Sequence, residues 1–214
     1  QNCTDNFTIN TPTCTLNASD DALHVSEIMY SPTSGDDWFE ITNTSASPIY
    51  VNYWIIDQVT IGSEFVLNSP SLLVIPAGGQ FIVASGGSAC GGSDYDDASL
   101  SLPNSGPTRI QIEDYTTGAG TGSQLEIIDY NVGAPGGFGG GAFPDEIPGV
   151  AIGYTQTGGT EYIDNDDGIN WCHQSTVCGS DNGSPYAPTT QCCAVEAWFR
   201  TKSGQSGDWT GATP

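Results

Sequence analysis

The chain has 214 residues and a net charge of −22, with only three basic side chains, Arg109, Arg200 and Lys202. Nucleic-acid binding needs clustered Lys or Arg to displace counterions, so that partner class is all but excluded, and an anionic membrane surface is disfavoured for the same reason. Apolar residues make up 37% of the chain, beside Gly 28 and Pro 13, which suits a turn-rich all-β fold; no apolar run reaches the roughly 20 residues of a membrane-spanning helix.

Residues 1–22 read as a polar N-terminal arm carrying Cys3 and Cys14 and the sequons at Asn2, Asn6 and Asn17. The cysteines tie the arm down, to each other or to the body. Leu23–Asp57 follows as three strands with two turns. Val25, Glu27 and Met29 alternate with Ser26, Ile28 and Tyr30; Trp38–Ile41 is the second strand; Ile49–Ile56 is the third. Alternation of period 2, bounded by Gly, Pro, Asn and Asp, is the signature of a meander. Further short strands are predicted at Glu64–Leu67, Leu72–Ile75, Gln80–Ala84, Ser99–Leu102, Thr108–Glu113, Leu125–Tyr130, Val150–Tyr154 and Glu161–Ile163. Gly133–Pro148 is too rich in Gly and Pro for a regular strand and reads as a loop carrying Phe138 and Phe143. Asp164–Pro188 is a long closing loop with Cys172 and Cys178. In the C-terminal segment, 189–214, Ala194–Thr201 alternates again, with Val195, Ala197 and Phe199 on one face and Glu196, Trp198 and Arg200 on the other. It reads as an edge strand of the same domain, a strand donated to a neighbouring copy, or the opening strand of a further domain.

The ordered motifs carry a resemblance. Glu27-Ile28-Met29-Tyr30 with Pro32, then Asp37-Trp38-Phe39-Glu40-Ile41, Asn43 and Tyr53-Trp54-Ile55-Ile56-Asp57 come in series. Ile75–Ala84 with its Pro-Ala-Gly-Gly turn, Leu100–Gly106, Asp167-Gly168 to Trp171, and Gly183-Ser184-Pro185 continue it. Together, over about residues 23–188, they resemble the lamin tail domain family. The Gly-rich insert at Gly133–Gly141 departs from that pattern, as does the cysteine set, which intracellular members lack. The resemblance implies an immunoglobulin-like β-sandwich, non-enzymatic, found in nuclear lamins and in secreted microbial proteins.

Seven cysteines, Cys3, Cys14, Cys90, Cys172, Cys178, Cys192 and Cys193, and five sequons, at Asn2, Asn6, Asn17, Asn43 and Asn182, point to an oxidising secretory route with N-glycans. The chain begins at Gln1, which fits a mature secreted protein after removal of a signal peptide. Seven is odd, so one thiol is left free or pairs with another chain; connectivity is not readable from spacing. The only histidines are His24 and His173, and no Gly-x-Ser-x-Gly elbow is present, so no hydrolase constellation assembles from the text. Cys172–Cys178 with His173 lacks a CxxC pair, and disulfides suit that context better than zinc. Asp164, Asp166 and Asp167 are the best candidates for Ca²⁺, yet they match only part of an EF-hand loop, and a plain acidic turn is the stronger reading. No other cofactor is expected. The expectation is therefore a secreted, glycosylated structural subunit that assembles with copies of itself into a filament or surface layer through Val195, Ala197, Trp198 and Phe199. The alternative is an adhesion module of a larger surface protein, Ca²⁺-dependent and directed at carbohydrate.

Overall fold

The computed structural model describes residues 22–33, 35–58, 62–87, 92–104, 107–114, 124–131, 143–155, 165 and 167–187. The fold is all-β, a sandwich of two main sheets. The first has six strands in the order β12-β11-β1-β2-β7-β8, built from β1 (Leu23–Met29), β2 (Trp38–Asn43), β7 (Gln80–Ala84), β8 (Tyr95–Asp96), β11 (Ile152–Tyr154) and β12 (Trp171–His173). The second has four, in the order β10-β9-β4-β5, from β4 (Ile55–Gln58), β5 (Ser63–Val66), β9 (Pro107–Glu113) and β10 (Gln124–Asn131). Two small ladders complete it: β3 (Ile49–Tyr50) with β6 (Val74–Ile75), and β13 (Val177–Cys178) with β14 (Asp181–Asn182).

One apolar core joins the sheets. Val25, Ile28, Phe39, Ile41, Phe81 and Val83 of the first sheet meet Ile56, Ile110, Ile112, Leu125 and Ile128 of the second. Each such side chain, fully buried, contributes about 1.5–3 kcal/mol. Trp38, Trp54 and Trp171 are all buried, as expected for structured positions.

Three sequence expectations need correction. The alternation of β1 is broken by a bulge between Val25 and Glu27. Val25 therefore points inward together with Ile28, while Glu27 and Met29 do not share its face. Ile49–Ile56 is two strands: a turn at Asn52-Tyr53 carries the chain from the β3–β6 ladder to β4, with Tyr53 at φ 69. Hydrogen bonds fix the crossing, from Tyr53 N–H to Leu67 C=O at 2.7 Å and from Leu67 N–H to Trp54 C=O at 2.8 Å. Ser99–Leu102 is not a strand. Leu100 N–H bonds the Asp97 carbonyl in a local turn, while Ser101 N–H reaches Gln58 Oε1 and Leu102 N–H reaches Asp37 Oδ2. The strand expected at Glu161–Ile163, residues 1–21 of the N-terminal arm, the loop segment Gly133–Gly141 and the C-terminal strand all lie outside the described residues.

Candidate functional site

The bulge in β1 turns Glu27 onto the face of the first sheet that points away from the main core. There it stands opposite Glu40 of β2 in the strand register. Around the two acids lies a second apolar cluster of Met29, Trp38, Ile82, Ala84 and Ala151. The closing segment 174–187 covers this face. It is held to the sheet by backbone bonds from Gln174 N–H to Ala151 C=O and from Ala151 N–H to Asn182 C=O, each 2.9 Å. Glu27 is 0% exposed and Glu40 1%, which is exceptional for carboxylates.

Both acids are hydrogen-bonded to the segment above them. Glu27 Oε1 accepts from Ser184 N–H at 2.8 Å, and its Oε2 lies 2.9 Å from Ser184 Oγ. Ser184 Oγ is also 3.2 Å from Gln174 Oε1. Glu40 Oε2 accepts from Tyr186 N–H at 2.7 Å, and its Oε1 accepts from the Ser26 hydroxyl at 2.7 Å. Ser26 Oγ in turn accepts from Thr42 Oγ1–H at 2.8 Å. Gly183 is the point of closest approach: a β-carbon there would stand 3.1 Å from Glu27 Oε1 and 3.1 Å from Trp38 Cζ2. Burial pushes the Glu27 carboxyl up to about 8, opposed by the Ser184 bonds and reinforced by the charge of Glu40. Burial likewise pushes Glu40 up to about 7, opposed by Ser26 and Tyr186 and reinforced by Asp94.

A third buried glutamate acts at the seam between the sheets. Glu126 Oε1 on β10 accepts from Val25 N–H, the amide beside the bulge, and from Asn165 Nδ2. His24 is buried and packs edge-on against Tyr154, and desolvation lowers it to about 4. Its Nδ1 has no hydrogen-bond partner among the described residues. His173 Nε2 lies 2.7 Å from Asp145 C=O. The two histidines are thus placed separately, each against its own neighbours.

No protein-family model matches this chain, and no curated protein matches it.

The predicted site residues fare differently. Cys172, on β12, and Cys178, on β13, are disulfide-bonded. Cys3, Cys14, Cys90, Cys192 and Cys193 lie outside the described residues, as do Asn2, Asn6, Asn17, Asp164, Asp166, Val195, Ala197, Trp198 and Phe199. Asp167 caps the 3₁₀ turn Gly168–Asn170, its side chain accepting from Ile169 N–H at 3.1 Å. No group of three or more metal-binding side chains occurs among the described residues. Asn182 sits on β14, partly exposed. Asn43 corrects the sequon reading. It is 0% exposed, and its Nδ2 donates to the carbonyls of Ser47 (2.8 Å), Ile75 (3.2 Å) and Pro76 (2.9 Å), so this fold has no room for a glycan there.

Sequence reasoning missed the glutamate pair. The available signal was a glutamate set among large apolar residues in each of two strands, VSEIM and WFEIT.

Proposed function

We propose that the chain is a secreted, non-enzymatic module, an immunoglobulin-like sandwich of lamin-tail type, acting as a structural subunit that self-assembles into an extracellular filament or layer. The observation that carries this reading is the use made of the buried acids. Glu27, Glu40 and Glu126 each bind a main-chain amide of the fold, Ser184, Tyr186 and Val25 respectively. That is the chemistry of a rigid scaffold, in which polar groups specify one arrangement of packed segments. The odd cysteine count and the spare alternating strand Ala194–Thr201 support contact between copies, covalently and by strand addition. The sequons at Asn2, Asn6, Asn17 and Asn182 supply its glycans, and secretion accounts for the disulfides.

Negative-stain electron microscopy of the native protein, unreduced and reduced, tests the reading. Regular fibres or sheets that disperse on reduction are the expected result, placing an interchain disulfide in the contact. Single small particles in both samples overturn it in favour of a carbohydrate-directed adhesion module, for which Ca²⁺-dependent glycan binding is the next measurement.

A further inference from the structure

We propose that Glu27 and Glu40 form a proton-sharing latch that pins residues 183–187 to the outer face of the β1–β2 pair and releases them as the proton is lost. This does not rest on self-assembly, because it concerns two strands and one covering segment within a single copy.

Hydrogen-bond counting at Ser184 carries the first step. Its single hydroxyl proton faces two acceptors, Glu27 Oε2 at 2.9 Å and Gln174 Oε1 at 3.2 Å. With Glu27 ionised, one acceptor goes without. With Glu27 protonated on Oε2, the acid donates to Ser184 Oγ, and Ser184 donates to Gln174. Every group is then satisfied, while Oε1 still accepts from Ser184 N–H. Gln174 and Ser184 are 2% and 4% exposed, so water does not readily fill the deficit. At Glu40 the count runs the other way. Its two oxygens face two donors, Ser26 Oγ–H and Tyr186 N–H, which suits the ionised form. One proton shared between the two acids, resident on Glu27, matches the donors on offer.

Among the described residues, no cation faces the pair to offset a second charge. Glu27 faces Glu40 from β2 and the neutral Ser184 and Gln174 from the closing segment. Glu40 faces Ser26 of β1, Tyr186 of the closing segment and the carboxylate of Asp94, whose Oδ2 accepts from Ile82 N–H on β7. Tyr186 meets Asp94 and Asp96 in turn. The described guanidinium, Arg109, pairs with Asp129 on the opposite sheet. Loss of the shared proton therefore places two like charges in a desolvated layer, directly under amides that can reach water only by lifting away. The segment they hold is also where the backbone is strained, with Tyr186 at φ 61.

The sign follows from linkage. Both carboxyls titrate higher when covered than the ordinary 4.5, because burial outweighs even the two donors at Glu40, so the latch is firmest below about pH 4.5. It weakens as pH rises, through about 7 for Glu40 and about 8 for Glu27. His24 has the opposite sign, its folded value lying below 6.5, so it acts only between about 6.5 and about 4 and leaves the window above pH 7 to the two glutamates.

Amide hydrogen exchange of the full chain, read by mass spectrometry and corrected for intrinsic rates, tests this. Protection of the peptide spanning 183–187 is expected to fall about tenfold between pH 7 and pH 8, about fivefold of it through Glu27 and about twofold through Glu40, while β9 and β10 keep theirs. In Glu27→Gln, which mimics the neutral acid, the fall shrinks to the roughly twofold share of Glu40. A flat wild-type response, the same fall in Glu27→Gln, or a parallel loss in β9 and β10 overturns the latch. Should Glu27→Gln not fold, the ¹³C carboxyl resonance of Glu27 in the wild-type chain decides. A midpoint near 8 supports the latch, and one below 6 overturns it.

Discussion

Both ends of the Asn43 carboxamide are bound. Its Oδ1 accepts from Ser45 N–H and from the Ser45 hydroxyl, while its Nδ2 serves the three carbonyls of Ser47, Ile75 and Pro76. One residue thus shapes the turn after β2 and fastens it to the segment that follows β6. The sequon Asn43-Thr44-Ser45 made it look like a modification site; the turn chemistry of Asn, which binds its own backbone two residues on, was the better guide. Replacing it by Asp keeps the shape but turns the donor end into an acceptor facing carbonyls. Asn43→Asp is expected to lower the unfolding free energy by about 2–4 kcal/mol, through buried groups left unpaired and repelled. Urea unfolding should show a lower midpoint at unchanged m. Peptide mass mapping should find Asn43 unmodified.

At the scale of elements, the alternating stretches were legible because each buries one face of a pleat against the core. β1, β2, β7, β9 and β10 lie where the period-2 pattern put them. What was not legible depends on long-range pairing. β8 and the β13–β14 ladder are two-residue pieces with no room for alternation, and they exist because neighbours offer them hydrogen bonds, as Val83 and Ala84 do for Tyr95 and Asp96. The bulge in β1 is likewise invisible in the text, since Ser26 is an ordinary strand residue. The acceptor for the amide beside it lies 101 residues away, where Glu126 takes up the Val25 N–H. The covering of Glu27 and Glu40 comes from residues far downstream, so the two acids look like surface positions until the closing segment is placed. The role of Glu126 is testable. Glu126→Ala strips a buried acceptor from Val25 N–H and from Asn165 Nδ2, and it is expected to cost about 2–3 kcal/mol in chemical denaturation.

For the whole molecule the governing quantity is the net charge of −22, with an isoelectric point near 4.1. Self-repulsion of this size opposes the compact state wherever the surface carboxylates are ionised, and it is long-ranged: the Debye length falls from about 30 Å at 0.01 M salt to about 10 Å at 0.1 M. Surface repulsion and the buried pair therefore both weaken the fold as pH rises, and salt separates them. Raising NaCl from about 10 mM to about 300 mM at pH 8 is expected to raise the melting temperature, and to change it less at pH 4, where roughly half of the acids are neutral. The Glu27–Glu40 pair sits in a desolvated layer that mobile ions do not enter, so its contribution persists in high salt. In about 300 mM NaCl the wild-type chain should still lose protection of residues 183–187 between pH 7 and pH 8, and Glu27→Gln should lose far less. A wild-type response abolished by salt would assign the pH dependence to the surface and leave Glu27 and Glu40 as a static clamp.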